Sequence, residues 1–149
     1  MPSDQIEFSF PNLAGGYRIT SPETPSYNCI AWAASDTGHW WWPTALRGYY
    51  WPAEAPRSGS IRDFIAAFGK LGYEPVENAE LEEGIEKIAI YADEQGDPTH
   101  MARQLGSGKW TSKLGESEDI EHGDVASLEG DCYGKVVRIL KRRRVPAEG

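Results

Sequence analysis

Tyr27-Asn28-Cys29-Ile30-Ala31-Trp32-Ala33 is the stretch whose reading decides the fold. An Asn is among the strongest N-caps, because its side-chain oxygen accepts an unpaired amide hydrogen of the first helical turn. The apolar run behind it is helix-compatible. It predicts a helix that opens at Cys29 and runs to about Ser35 or Asp36, where Thr37-Gly38 offers a stop. A thiol at the first helical position meets the positive end of the helix dipole and ionises more readily than a free one. The thiolate is the nucleophilic form. Two readings of Cys29 therefore stand side by side: an activated nucleophile, and a buried, inert packing residue, the commoner state of cysteine.

Working outward, residues 5–26 carry Pro11, Gly15, Gly16, Pro22 and Pro25, and read as an extended lead-in with short strands near Ile6–Phe10 and Tyr17–Ile19. Downstream come His39-Trp40-Trp41-Trp42-Pro43 and Tyr49-Tyr50-Trp51-Pro52. Five of the six tryptophans fall between residues 32 and 51, too dense for core packing alone. Part of this cluster is expected in the core, with at least one ring in a cleft or interface. From Ser60, a cap, residues Ile61, Phe64, Ile65, Phe68 and Leu71 follow the spacing of one buried helical face, and Gly72 closes it. The acidic segment 77–86 lacks oxygen-ligand spacing for a metal and reads as a solvated loop or short helix. Strands are predicted at Lys87–Ala92, at Thr99–Leu105 and Lys109–Leu114 around Gly106-Ser107-Gly108, and at Tyr133–Leu140. Lys141–Arg144 reads as a solvated basic tail. Helices first and antiparallel strands after them predict an α+β fold, with N-terminal helices packed on a small antiparallel sheet.

The chain has 149 residues, which suits one domain, here 1–144 with a tail at 145–149. Its 15 basic and 23 acidic residues give a net charge of −8, which argues against a nucleic-acid or membrane-surface partner. Two cysteines, Cys29 and Cys132, are too few for a disulfide scaffold, and Cys132 reads as structural. Nothing in the residue pattern calls for a metal or cofactor. The N-terminus shows no Sec-type signal peptide and no segment reaches membrane-spanning length, so the expected location is the cytoplasm, or outside it by a route that needs no such signal.

A cysteine nucleophile needs a base, and the histidines are His39, His100 and His122. His39 sits in the tryptophan loop, and His122 in a polar stretch where it can orient a neighbour or bind substrate. His100 opens a predicted strand just after Pro98-Thr99, and either faces a helix-borne thiol or is an ordinary histidine at a turn. With these residues in view, Tyr27-Asn28-Cys29-Ile30-Ala31-Trp32 is similar to the Tyr-Asp-Cys-Ser-Gly-Phe signature of NlpC-type cysteine peptidases, a branch of the papain-like fold. Asn stands here for the Asp before the cysteine, and Ile-Ala for the Ser-Gly after it. The segments Tyr27–Ala33, Trp40–Pro43, Pro98–Leu105, Trp110–Gly115 and Asp119–His122 also resemble an uncharacterised family of bacterial proteins.

The NlpC-type resemblance implies a papain-like domain in which Cys29 is the nucleophile, His100 the base and Ser112 the third member. A two- or four-residue hairpin loop would instead turn Lys113 and Thr111 toward His100, an odd-length one Ser112. Asp119 is the fallback orienting group, with His122 beside it. Tyr27 and Asn28 would flank the oxyanion, the Cys29 amide serving as a donor, and Trp41 and Trp42 would meet the substrate. The implied activity is cleavage of a peptide or other amide, proteins included, through a thioester on Cys29, with no cofactor or metal. The same site can run deamidation or acyl transfer, as a toxin or effector would. The alternative from a different class is a binding module whose tryptophans stack on a sugar or peptide while Cys29 packs. One distance separates the two: a Cys29 sulfur about 3–4 Å from a His100 ring nitrogen favours the enzyme, and a sulfur away from it the binder.

Overall fold

The structure is a computed structural model and describes residues 10, 13, 17–21, 26–43, 48–52, 55, 57, 59–114, 119–130 and 133–143. Its centre is a seven-stranded sheet, β1 (Tyr17–Ser21), β2 (Glu74–Val76), β3 (Ile85–Ala92), β4 (Pro98–Gln104), β5 (Trp110–Lys113), β6 (Asp119–His122) and β7 (Lys135–Arg143). The spatial order is β1-β6-β5-β4-β3-β7-β2, with every neighbouring pair antiparallel. Among the described residues the α-helices are short, α1, Cys29–Ala33, and α2, Ile61–Gly69, with a single 3-10 turn at Val125–Leu128. The expected papain-like arrangement of helices on a small sheet is therefore overturned; the sheet is the body of the molecule and the helices are a cover on part of it.

Three local causes shift the balance from helix to strand. The α1 helix stops early because Ser35 takes the left-handed conformation, φ 64°, which ends a helix. The acidic segment is drawn in by Lys87, whose buried ammonium donates to the Asn78 carbonyl and side chain and lies 2.6 Å from Glu82, and β3 begins at Ile85 within that segment. The basic run is not a tail as far as Arg143. β7 continues through it, and Arg142 donates to Glu86 Oε1 at 2.9 and 3.1 Å and to the Leu71 carbonyl at 3.0 Å. Of the lead-in strand expected at Ile6–Phe10 only Phe10 is among the described residues, and Cys132 and the tail 145–149 are outside them.

Both faces of the central strands β3, β4 and β5 are buried. On one, α1 and α2 lay Ile30, Ala31, Ala33, Phe64 and Phe68 against Ile88, Ile90, Met101 and Leu140. On the other, Phe10, Leu13 and Leu128 cover Ala89, Tyr91, Ala102, Trp110, Ile120 and Ile139. Successive strand residues point to opposite faces, so Ile90 and Tyr91, or Met101 and Ala102, enter different cores. Among the described residues no helix is long and apolar enough to cross a membrane.

Candidate functional site

Asn28 caps α1 as the sequence predicts, its Oδ1 accepting from the Ala31 amide at 3.1 Å. The same oxygen accepts from the Trp41 amide at 3.1 Å, and Nδ2 donates to the Trp41 carbonyl at 2.8 Å. The cap thus also ties the tryptophan loop to the helix. An Asp at this position has no hydrogen to give the Trp41 carbonyl, which is a physical reason for Asn here. Trp41 itself is core, 3 % exposed and donating from Nε1 to Asp36. Trp42, Tyr49 and Tyr50 keep 44, 46 and 40 % of their surfaces exposed. His39 leans on Tyr50 and pairs with Asp36 at the surface.

Cys29 is half-buried on the helix-covered face. Burial pushes its thiol up to about 11, against the backbone N–H groups of Met101, Ile30 and Cys29 itself and the Lys113 ammonium, which pull the other way. Around it, Tyr27 stacks on Trp32 and donates to Asp119 Oδ2 at 2.5 Å. Lys113, fully buried, sits 5.3 Å above the Tyr27 ring, and Arg103 lies 5.2 Å from the Trp32 ring. Trp32 Nε1 donates to Thr111 Oγ1 at 2.9 Å. This face therefore gathers Tyr27, Asn28, Cys29, Lys113 and Asp119. Lys113, expected from the sequence only as a residue that an even-length hairpin loop would turn toward His100, stands near the thiol instead.

His100 is on the other face. Its neighbour Met101 enters the α1 core and pairs with Ile90, whereas His100 pairs with Tyr91. The His100 ring stacks on Tyr133 at 4.0 Å and 6° and meets Tyr91 edge-on. The β4–β5 connection, residues 105–109, has odd length, and Ser112 accordingly joins His100, Nε2 to Oγ 3.0 Å. His122 completes a chain, its Nε2 2.9 Å from the same hydroxyl and its Nδ1 2.8 Å from the Asp124 carbonyl. Burial, with a lesser contribution from His122, holds the His100 pKa well below the ordinary imidazole value. Burial lowers that of His122 too, against the Asp124 carbonyl and carboxylate. The structure thus brings His100, Ser112 and His122 together on one face and Cys29, Tyr27 and Asp119 on the other, with β4 and β5 between. Among the described residues, no cluster of three or more His, Cys, Asp or Glu side chains is arranged to hold a metal ion.

Residues 18–141 match the family model described as a domain of unknown function (DUF7689). No curated protein and no solved structure matches the chain.

Proposed function

The chain belongs to the DUF7689 family, and from that premise and the geometry above we propose that it is a binding module, whose ligand, a sugar or a peptide, stacks on the exposed rings of the tryptophan loop. The observation that carries this reading is that Cys29 packs in the helix-covered core while His100 turns to Ser112 and the other core, so that among the described residues no hydrogen bond joins the thiol to an imidazole. The loop, by contrast, is built to present rings. Its backbone is pinned by Trp42 N donating to the Tyr50 carbonyl and Tyr50 N to the Trp40 carbonyl, and by the bond Trp41 N donates to Asn28 Oδ1 and the one its carbonyl accepts from Asn28 Nδ2. Exposed aromatic side chains on a held backbone bind flat apolar surfaces at little entropic cost.

The test is a tryptophan-fluorescence titration with oligosaccharides and with peptides, comparing the wild type with Trp42→Ala. A saturable change that the substitution abolishes supports the reading. No saturable change with either class sinks it.

A second reading, amide hydrolysis through a thioester on Cys29, is favoured by one feature: backbone N–H groups and the Lys113 ammonium surround the sulfur and stabilise its anion. An activity-based thiol probe separates the two. Labelling of Cys29 at rates above a free thiol, lost in Cys29→Ala, would give the enzyme precedence. Labelling that is also lost in His100→Ala would mean that the imidazole reaches the sulfur in solution.

A further inference from the structure

We infer that the Asp124 carbonyl, His122, Ser112 and His100 form a proton-ordered lock across β4, β5 and β6 that closes at neutral pH and opens on uptake of one proton.

The order of hydrogens follows from one end of the chain. A carbonyl only accepts, so the 2.8 Å contact at Asp124 requires the hydrogen of His122 on Nδ1. A neutral His122 then offers a bare Nε2, and the Ser112 hydroxyl donates to it across 2.9 Å. The Ser112 oxygen, its hydrogen spent, accepts from His100, whose hydrogen must therefore be on Nε2. What remains is the His100 Nδ1 lone pair, buried and without a hydrogen-bond partner among the described residues. Reversing the chain would set the bare Nδ1 of His122 against the Asp124 carbonyl, two lone pairs face to face. One arrangement survives.

A proton breaks it at either imidazole. On His100 the free site is Nδ1, where an N–H would find no acceptor. On His122 the free site is Nε2. The Ser112 oxygen would then face two donors, and its own hydrogen would point at nothing. Both outcomes also bury a cation. The groups packed against the pair offer little to receive it. Tyr91 comes from β3, Tyr133 from the segment before β7, and Trp110 and Tyr17 are the register partners of His122 on β5 and β1. Among the described residues the charged influence on His100 is His122 alone, and on His122 it is the Asp124 carboxylate, which eases but does not cancel the cost of burial. Glu129 acts with Asp124 on the neighbouring Tyr91 hydroxyl.

The lock spans a weak place. The β4–β5 ladder has only two register pairs, Arg103 with Thr111 and Gln104 with Trp110. His100 and Ser112 lie beyond it, so their side chains carry the junction there. On the far face of the same strand, Thr111 and Lys113 hold Trp32 and Tyr27, so loosening β5 also loosens the seat of α1. The sign follows from linkage. Both imidazoles bind a proton less readily folded than unfolded, so the stabilisation is complete above about pH 6.5, the unfolded value, and is lost as pH falls below it toward the lowered folded values. Each histidine then costs about tenfold in the folding constant per pH unit.

The experiment is nitrogen-15 NMR of histidine-labelled full-length protein between pH 7.5 and 5, with urea unfolding of wild type and His100→Phe over the same range. The expected spectra show the Nδ1–H form for His122 and the Nε2–H form for His100. The wild-type folding constant should fall up to about a hundredfold per pH unit below 6.5, and that of His100→Phe about tenfold less steeply. A hydrogen on Nε2 of His122, or either imidazole titrating near 6.5 in the folded protein, overturns the inference. The spectra decide it on wild type even where the variant does not fold.

Discussion

Replacing Asn28 separates its two duties, because Ala removes both and Asp removes one. The side chain is 5 % exposed and makes three hydrogen bonds, one to the α1 amide of Ala31 and two to the Trp41 backbone. Trp41 has no easy substitutes, since the bridge to Tyr50 uses the Trp40 carbonyl and the Trp42 amide on either side of it. Asn28→Ala then loses a cap, about 1 kcal/mol, and strands a buried N–H and a buried C=O, about 1 kcal/mol each at the least. The expected loss is about 3 kcal/mol, a large share of the 5–15 kcal/mol that holds a typical domain. Asn28→Asp keeps both accepting bonds but turns a carboxylate oxygen toward the Trp41 carbonyl, for an expected loss of about 1–2 kcal/mol at pH 7. Protonation would relieve that repulsion, because a carboxylic acid can donate. The pKa of the introduced carboxyl is thus raised in the folded state, the fold binds its proton more readily than the unfolded chain, and the Asp variant gains on wild type as pH falls. Urea unfolding at pH 7 and pH 4.5, followed by near-ultraviolet circular dichroism for the Trp41 environment, reads both effects. An Asp variant as stable as wild type at pH 7 would refute the donor role, and a gap that widens toward pH 4.5 would refute the sign.

Three further outcomes are expected. Arg142→Ala should cost about 2–4 kcal/mol in urea unfolding, because it takes a guanidinium from the Glu86 carboxylate, the Leu71 carbonyl and the face of Tyr73, whereas Arg143→Ala at the exposed strand end should stay within about 0.5 kcal/mol. Gly134→Ala drives a methyl into the Ala92 carbonyl at φ +75° and should destabilise by several kcal/mol, while Gly96→Ala, at φ +84° with open space around it, should cost only the backbone strain of about 1–2 kcal/mol; equal melting shifts would refute the close approach. Iodoacetamide should label Cys29 slowly, since a thiol at about 11 holds about 240-fold fewer thiolates at pH 8 than a free one near 8.5, and the gain in intrinsic nucleophilicity returns only about tenfold; a mass-spectrometric rate equal to that of a free thiol would show the sulfur to be less buried than described.

Local signals were legible where one residue type does one job. The Asn28 cap and the start of α1 at Cys29 follow from hydrogen-bond chemistry, and α2 from a single apolar stripe behind Ser60. The central strands were legible too, β3 from its β-branched and aromatic content and β4 and β5 from the Gly106-Ser107-Gly108 hairpin signal between them. What escaped were elements built by distant partners. β2, with its Glu-Pro-Val sequence, exists because β7 runs on through Lys141 to pair with it. β6 carries Asp119, Glu121 and His122, a polar run with no strand signature, and is held between β5 and β1. A Lys87 buried against the acidic segment likewise has no local signal; its pairing with Glu82 and Asn78 is a tertiary fact.

The site was the least legible part, and the two-sided burial of the central strands is the reason. Where one face of a sheet meets water, apolar and polar residues alternate, and the alternation tells which side each residue takes. In β4 the residues His100-Met101-Ala102 are buried in succession, Met101 in one core and Ala102 in the other. No pattern of polarity distinguishes the faces, so sequence alone could place His100 on the same strand as the thiol's amide donor but not on either side of it. The odd length of the β4–β5 connection was decisive for Ser112 and silent about Cys29, because a hairpin relates two strands to each other and not to the helix that lies over them. Parity is thus carried by neighbours and lost across a layer. The same rule explains why Ser112 and His122, on adjacent strands, share the face of His100, while Lys113 and Asp119, an odd number of residues along each, meet Tyr27. A single residue inserted in β5 between Thr111 and Ser112 would exchange the faces of Ser112 and Lys113 and leave those of Asp119 and His122 unchanged. It would carry the hydroxyl to the thiol's face and the ammonium into the histidine core, and a folded variant of that kind should lose the His100 to Ser112 bond.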